Sequence, residues 1–134
     1  MSITEPLKVG VRYEGRVAVV SAAGEVDVYT APLLRDGLLS ATSRGTAWVL
    51  ADLTDVSFMD STGLGVMVGG LKRTRVAGGR LDLAGLTDHV AALFTRTGLA
   101  RVFVIHPDAA TGMQAITAAM EASAPADTSG KDSR

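Results

Sequence analysis

Residues 58–73, FMDSTGLGVMVGGLKR, join an apolar strand to an apolar helix through one acid and two hydroxyl side chains. Apolar residues follow the i, i+3, i+4, i+7 spacing of an amphipathic helix at Leu64, Met67, Val68 and Leu71. The same segment carries glycines at Gly63, Gly65, Gly69 and Gly70. A glycine inside a helix costs about 1 kcal/mol relative to alanine, so folding alone does not favour this composition. We therefore look for the functional site here.

Ser61 and Thr62 lie where the predicted strand ends and the predicted helix begins. The first N–H groups of a helix have no partner within it, and the helix dipole adds about half a positive charge at that end. A phosphate on Ser61 would therefore be tolerated without unfolding the helix. Capping is the alternative role, because Ser, Thr and Asp all cap helices. Three consecutive capping residues, counting Asp60, exceed what one helix end needs.

The rest of the chain alternates between strand and helix patterns. Two strands joined by a turn at Glu14-Gly15 open the chain, and Thr30 followed by Pro32 starts a helix. Residues 47–53 form an apolar run that suits a central strand. After the glycine-rich helix ends at Gly78-Gly79, we expect a strand at 81–83, a helix from Thr87 to Arg96, a strand at 102–105 and a helix from Asp108 to Glu121. The sequence thus predicts an α/β fold, a mixed sheet of four to five strands with about four helices packed on it.

Length and composition exclude several classes of protein. A chain of 134 residues is one domain, and the absence of cysteine rules out disulfides, thiol catalysis and cysteine metal sites. A net charge of −1 and an aromatic content of 4% argue against direct nucleic-acid binding. The opening MSITEPLKVG lacks a long apolar run. We therefore expect no signal peptide, no membrane span and a cytoplasmic location.

Three motifs resemble one protein family. FMDSTGLGVMVGGLKR is similar to the phosphorylation-site segment of bacterial anti-anti-sigma factors (anti-sigma factor antagonists), which are single STAS domains. GEVDVYTAP at residues 24–32 resembles their second hallmark, and LFTRTGL at residues 93–99 agrees in spacing. The resemblance covers about residues 7–119 and implies a STAS-like fold. We assign residues 1–121 to a STAS domain, and the small, polar composition of residues 122–134 predicts a disordered tail.

The resemblance also implies roles for individual residues. Ser61 would be the phosphoacceptor, with Asp27 on the loop beside it and Thr30 capping the first helix on the same surface. Thr62 stands where the family often has serine and is a second candidate for modification. The partner surface would include Asp27, Thr30, Asp60, Thr62, Gly63, Gly65, Gly69 and Lys72. Gly65, Gly69 and Lys72 share one side of the helix, although close packing on a neighbouring helix is an equal explanation for the glycines.

The family works by exchange of partners. Its unmodified members bind an anti-sigma factor that is itself a serine kinase of the histidine-kinase-like ATPase type, and binding frees a sigma factor. Phosphorylation ends the complex, and a metal-dependent serine phosphatase restores the unmodified form. The same would hold here, without a cofactor, a metal or a membrane, in a monomer or weak dimer. The phosphate would lie between Asp27 and Asp60, near the acids Glu25, Asp52 and Asp55.

Other functions have weaker support. MDSTG resembles a nucleophile elbow, but Met59 stands where that motif needs glycine, and His89 and His106 are expected at the surface or as caps. GVMVGGLKRT lacks the residue order of a phosphate loop, so nucleotide binding is only an alternative. The acids Asp52, Asp55 and Asp60 suggest solvated carboxylates rather than a metal site. A signalling or scaffold module that does not act on a sigma factor is the other alternative. A basic run, formed by Lys72, Arg73, Arg75 and Arg80, predicts a solvated helix face. The alternative is that this face meets an acidic part of the partner.

Overall fold

A computed structural model describes residues 6–43 and 45–123, and these form a five-stranded sheet with four α-helices. The strands are β1 (Lys8–Glu14), β2 (Val17–Val26), β3 (Trp48–Met59), β4 (Arg80–Ala84) and β5 (Ile105–His106). The helices are α1 (Ala31–Ser43), α2 (Ser61–Val76), α3 (Asp88–Arg96) and α4 (Ala109–Ser123), with a 3-10 turn at Leu99–Arg101. The strands lie in the order β1-β2-β3-β4-β5, with β1 antiparallel to β2 and the other neighbours parallel. The predicted mixed α/β fold is confirmed.

Helices cover both faces of the sheet. Helix α2 approaches one face at Gly70, where an added Cβ would lie 3.1 Å from Leu81 Cδ2 and 3.2 Å from Leu38 Cδ1 of α1. Helix α4 approaches the other face at Gly112, where an added Cβ would lie 2.9 Å from Leu50 Cδ1. Successive side chains of a strand point to opposite faces, so both faces of the central strands are apolar. This explains why residues 47–53 lack alternation.

The β2–β3 pairing determines where the candidate site lies. The two strands are parallel, and their register ends with Val26 opposite Met59. The Asp60 N–H then donates to the Val26 carbonyl at 3.1 Å. Because the carboxyl ends of parallel strands meet at one edge of a sheet, the loop after β2 and the start of α2 lie side by side. The resemblance implied this arrangement for Asp27 and Ser61.

The strand predicted at residues 102–105 begins later than expected, at Ile105, and only that residue of the predicted range belongs to it. The N–H groups of Val102 and Phe103 both donate to the Leu99 carbonyl, at 3.0 and 3.2 Å, so the chain is still turning there. Only Phe103 is buried, in an edge-to-face contact with Phe94, whereas Val102 and Val104 are 41% and 46% exposed. The apolar run reflects one buried anchor rather than a strand, and β5 holds two residues.

Several boundaries also differ from the sequence expectation. Strands β2 and β3 run on to Val26 and Met59, well past the apolar runs that predicted them. Helix α4 continues through Ala122 to Ser123, so residues 122 and 123 are helical, and the tail predicted for the remaining residues, 124–134, lies outside the described residues. Of the helices that the structure describes, none is long and apolar enough to cross a membrane.

Candidate functional site

Asp60 caps helix α2. Its backbone is extended, and its Oδ1 accepts hydrogen bonds from the N–H groups of Thr62 at 2.9 Å and Gly63 at 3.2 Å. The Leu64 N–H donates to the Asp60 carbonyl at 3.1 Å. These bonds satisfy backbone groups that a helix start otherwise leaves without partners. Of the three consecutive capping residues in the sequence, the aspartate therefore holds the role.

The Ser61 and Thr62 hydroxyls are consequently not used by the fold. Ser61 is the first residue of α2, both side chains are exposed, and neither hydroxyl makes a hydrogen bond to the described residues. Capping was the structural alternative for Ser61, and the geometry assigns that task to its neighbour. A nucleophilic hydroxyl at the surface, next to a helix N-terminus, is available to an enzyme that approaches from outside.

Asp27 organises the neighbouring loop. Its Oδ1 accepts hydrogen bonds from the N–H groups of Tyr29 at 2.9 Å and Thr30 at 3.0 Å. Its carbonyl accepts from the Ala31 N–H at 2.8 Å, at the start of α1. The hydrogen bond from the Thr30 backbone N–H, followed by those from Tyr29 and the Thr30 hydroxyl, holds the pKa of the Asp27 carboxyl below its usual value of 3.8. Asp27 is therefore a fixed negative charge.

Thr30 acts differently from the capping hydroxyl that the sequence predicts. Helix α1 does begin directly after it, at Ala31. The Thr30 hydroxyl, however, bonds backwards: it accepts from the Asp27 N–H at 2.9 Å and shares its one proton between the Glu25 carbonyl at 2.7 Å and Asp27 Oδ1 at 3.1 Å. Thr30 therefore fastens the loop to the end of β2 instead of satisfying the first turn of α1.

Fewer acidic residues lie near Ser61 than the sequence suggests. Asp27 and Asp60 follow paired strand ends, and neighbouring strands are about 4.8 Å apart. Asp52 lies eight residues before Asp60 on extended β3, roughly 26 Å away at about 3.3 Å per residue, and Asp55 roughly 17 Å away. The Asp52 carboxylate binds Thr54 of its own strand, with Oδ1 2.6 Å from the hydroxyl oxygen. The expectation that Asp52 shares the surface of Ser61 is therefore wrong, and that for Asp55 stays a prediction.

The glycines of α2 differ in what surrounds them. A Cβ on Gly63 would lie 2.6 Å from Met59 Cγ and 2.8 Å from Val26 Cγ1, so this glycine lets α2 pack on the sheet, as Gly70 does. A Cβ on exposed Gly65 would have no neighbour within 4 Å. At Gly69 the nearest atom would be Arg73 Nη1, at 3.4 Å. Internal packing thus explains Gly63 and Gly70, while Gly65 keeps a surface bare for no internal reason.

The basic run is not one solvated face. Lys72 and Arg75 are exposed on α2, as expected. Arg73 instead lies back over Gly69, with its Nε and Nη2 atoms buried and without a hydrogen-bond partner among the described residues. Arg80 belongs to β4, and its Nη2 donates to Asp82 Oδ2 at 2.9 Å. Only part of the run can therefore meet a partner.

Asp82, Arg80 and His106 form a buried cluster that sequence reasoning missed. Asp82 is fully buried, and its Oδ2 lies 2.8 Å from His106 Nε2. The expected surface or capping role for His106 is therefore wrong, because it ties β5 to β4. His89 does lie at the start of α3, where its ring stacks on Phe58 with centroids 5.1 Å apart. The Asp82–His106 pair spans 24 residues, and no local pattern indicates it.

No group of three or more His, Asp or Glu side chains within residues 6–43 and 45–123 is arranged to hold a metal ion. The Asp60 Oδ1 accepts a hydrogen bond from the first turn of α2, and the Asp52 Oδ1 accepts one from Thr54 within β3. Of the three acids that the sequence offered as a metal alternative, Asp52 and Asp55 thus lie along β3 and Asp60 lies at the start of α2.

Comparison with known proteins gives a consistent family. Residues 9–112 match the family model described as the STAS domain. The anti-sigma-B factor antagonist of Bacillus subtilis is 43% identical over 95 residues, which cover 71% of this chain and 86% of that protein. The anti-sigma-B factor antagonist of Listeria monocytogenes is 43% identical over 86 residues, which cover 64% of this chain and 75% of that protein.

Solved structures share the fold at lower identity. An anti-sigma factor antagonist from Mycobacterium paratuberculosis superposes with a TM-score of 0.78 at 22% identity, covering 86% of this chain and 99% of the other. The Bacillus protein SpoIIAA in its phosphorylated form superposes with a TM-score of 0.66 at 20% identity, covering 81% and 99% of the two chains. Together with the family model and the sequence relatives, these matches show that the chain belongs to the STAS domain family and is related to anti-sigma factor antagonists.

Proposed function

We propose that this protein is an anti-sigma factor antagonist whose binding is switched off by phosphorylation of Ser61. The unphosphorylated form binds an anti-sigma factor serine kinase of the histidine-kinase-like ATPase type and thereby releases a sigma factor. A metal-dependent serine phosphatase restores the unphosphorylated form. The protein acts in the cytoplasm as a binding module, without catalysis, cofactor, nucleic acid or membrane. The names of the Bacillus and Listeria relatives support the antagonist role.

The observation that carries this proposal is the free hydroxyl of Ser61. Asp60 already caps α2 through the Thr62 and Gly63 N–H groups, so Ser61 can be modified without removing a hydrogen bond of the fold. The bare helix surface at Gly65 lets a protein approach the hydroxyl closely. SpoIIAA, which shares this fold, has a phosphorylated form, and this supports the proposal by analogy alone.

The switch follows from local charge. A phosphoserine adds about −1.5 to −2 charges at neutral pH. At Ser61 it joins the carboxylates of Asp27 and Asp60, one of which already occupies the capping position of α2. Partner residues that accept the unmodified surface must then desolvate a third negative group. A loss of about 3 kcal/mol, roughly two decades in affinity, is sufficient to exchange partners.

The direct test uses the purified chain, Mg-ATP and each purified anti-sigma factor kinase encoded in the same genome. We expect one kinase to bind the unmodified chain and to phosphorylate Ser61, as mapped by mass spectrometry. The isolated phosphorylated chain should bind that kinase about 100-fold more weakly in titration calorimetry.

Two variants serve as matched controls. Ser61→Ala should bind the kinase and resist phosphorylation, whereas Thr62→Val should be phosphorylated as the wild type is. Full phosphorylation of Ser61→Ala would place the modification at another residue such as Thr62. Equal affinity of the modified and unmodified chains would refute the switch itself.

A second candidate function is a STAS signalling or scaffold module that binds a nucleotide. A cleft of about 550 Å³ at the other end of the sheet favours it, with Tyr13, Arg16, Trp48 and Met120 in its lining. Titration with ATP and GTP distinguishes this function, since a pure protein-binding module shows no heat of binding. Size-exclusion chromatography with the partners separates a small regulator from a subunit of a large scaffold.

A further inference from the structure

Exposed apolar side chains lie on the loop that Asp27 organises and on the first turn of α1. These side chains, Val28, Tyr29 and Leu33, are 58%, 87% and 44% exposed, and we call them the Tyr29 patch. Tyrosine is large and amphipathic, and it is enriched among the residues that dominate protein interfaces. A tyrosine ring almost wholly in water contributes little to this fold, so its position calls for another explanation.

The backbone beneath the Tyr29 patch is fixed before any partner arrives. The Tyr29 N–H donates to Asp27 Oδ1 at 2.9 Å, and the Leu33 N–H donates to the Thr30 carbonyl at 2.9 Å. The Thr30 hydroxyl anchors the same loop to β2 through the Glu25 carbonyl. A preformed loop loses little conformational freedom on binding, so most of the contact energy of an aromatic side chain is retained as affinity.

The Tyr29 patch also lies close to Ser61. Tyr29 is three residues beyond Val26, and Ser61 is two residues beyond Met59, the partner of Val26 across the β2–β3 pair. With strands about 4.8 Å apart, the two side chains are roughly 10–15 Å from each other. A protein interface buries about 800 Å² on each side, which corresponds to a radius of roughly 16 Å. An interface of this size centred on Ser61 would therefore extend to the patch.

We propose that the Tyr29 patch is the apolar anchor for the anti-sigma serine kinase, an inference that rests on the proposed function. The kinase would hold the Tyr29 ring in an apolar recess beside its phosphate-transfer centre. The rim of the patch is acidic at Glu25, Asp27 and Asp60, so the matching rim of the recess is basic. Tyr29 would contribute to the affinity of the unmodified form for the kinase, and phosphorylation of Ser61 would lower that affinity.

The test compares Tyr29→Ala with Val76→Ala. Val76 is 90% exposed at the far end of α2 and is the matched control for loss of an exposed apolar side chain. Titration with the kinase that phosphorylates wild-type Ser61 should show that Tyr29→Ala binds about 30-fold more weakly. Val76→Ala should remain within about two-fold of wild type. Val28→Ser provides a second patch variant, with an expected loss of about five-fold.

Steady-state phosphorylation gives an independent readout. Tyr29→Ala should raise the KM of the kinase for this chain and leave kcat unchanged, because the ring contributes binding and touches no reacting atom. Circular dichroism should show an unchanged fold for this exposed substitution.

The outcomes separate the two proposals. If Tyr29→Ala and Val28→Ser bind the kinase as wild type does, the anchor is refuted and the phosphorylation switch still stands. If no kinase binds or phosphorylates the wild-type chain, both proposals fall. A change in self-association of Tyr29→Ala in sedimentation, without a change in kinase affinity, would assign the patch to a second copy of the chain and overturn the anchor.

Discussion

Asp60 caps helix α2, and Ser61 is left available for modification. The sequence alone does not show which of the two residues has which role. Hydroxyl and carboxylate side chains all cap helices, so the triplet from Asp60 to Thr62 gives no indication of which residue is used. The structure shows the carboxylate at the Thr62 and Gly63 N–H groups and leaves the Ser61 hydroxyl unbonded among the described residues. Stability and modification can therefore be tested separately at adjacent positions.

Asp60→Ala should lower the free energy of unfolding by about 1 kcal/mol, because the Thr62 and Gly63 N–H groups lose their acceptor. Asp60→Asn should retain most of the stability, since an amide oxygen accepts the same bonds. Urea unfolding of the unphosphorylated protein measures both variants. A loss in Asp60→Asn as large as that in Asp60→Ala would mean that the charge, rather than the hydrogen bonds, stabilises the helix start.

Two glycines of α2 should respond to alanine with opposite signs. Gly63→Ala places a methyl 2.6 Å from Met59 Cγ and should lower the free energy of unfolding by about 1–3 kcal/mol. Gly65→Ala meets no neighbour within 4 Å and should raise it by up to about 1 kcal/mol. Thermal and urea unfolding of the pair provide the measurement. A Gly65→Ala variant that is less stable than wild type would show that this surface has an internal role.

The pKa of the Asp27 carboxyl should lie below the usual aspartate value. Hydrogen bonds from the Thr30 and Tyr29 N–H groups lower its folded pKa below 3.8, so its stabilising effect is present above the unfolded pKa and is lost as the pH falls through the folded pKa. The carboxyl carbon of Asp27, followed by NMR, should titrate with a midpoint below 3.8. Thr30→Ala should move that midpoint upward only in part, because the backbone donors stay. A wild-type midpoint at or above 3.8 would contradict the hydrogen-bond geometry.

At the scale of the secondary-structure elements, β5 is held partly by side chains. It has two residues, and His106 reaches the buried Asp82 of β4 at 2.8 Å. Arg80, a third exposed, supplies the other partner of that carboxylate at 2.9 Å. The short strand is thus held by an ionic cluster as well as by its ladder hydrogen bonds.

Arg80→Met should lower the free energy of unfolding by about 2 kcal/mol, since it leaves the Asp82 carboxylate buried with fewer donors. Arg75→Met, on the exposed side of α2, is the matched control and should change stability by less than about 0.5 kcal/mol. Chemical denaturation compares the two. Equal effects at both positions would show that the cluster does not contribute to stability.

Periodicity correctly predicts the helices and strands whose buried apolar residues are regularly spaced. It mispredicts a segment in which only isolated residues are buried. The spacing from Leu64 to Leu71 gives α2, and the run at residues 47–53 gives the centre of β3. The run at residues 102–105 misleads because a single side chain, Phe103, is buried. The resemblance supplied the neighbourhood of Asp27 and Ser61, whereas the backward bonds of Thr30 and the Asp82–His106 pair depend on contacts between distant segments that a local pattern cannot contain.

Taken as one body, the protein has a sheet whose two edges are poor sites for self-association. The edge strands are β1, which carries Lys8, Arg12 and Glu14 on exposed positions, and β5, which is very short. Charged or short edge strands discourage pairing between copies. Large apolar side chains are exposed at the loop beside Ser61 and also near β5, at Val102, Val104 and Ile105.

We therefore expect a monomer of 13.8 kDa, with at most weak self-association. Sedimentation equilibrium of the unphosphorylated chain over a range of concentrations should fit that single mass. A stable dimer at micromolar concentration would contradict this expectation and would point to one of the two edges or to the Tyr29 patch as the contact.

The hydrogen bond from the Asp60 N–H to the Val26 carbonyl has a wider consequence. It holds the backbone after β2 and the backbone at the start of α2 at matching positions of the sheet, so the spacing between the loop that carries Tyr29 and the helix start that carries Ser61 is set by the sheet. A cognate enzyme could then discriminate between paralogous substrates by geometry, because a one-residue insertion on either side of that rung would move the two groups out of mutual alignment while leaving every recognised side chain in place.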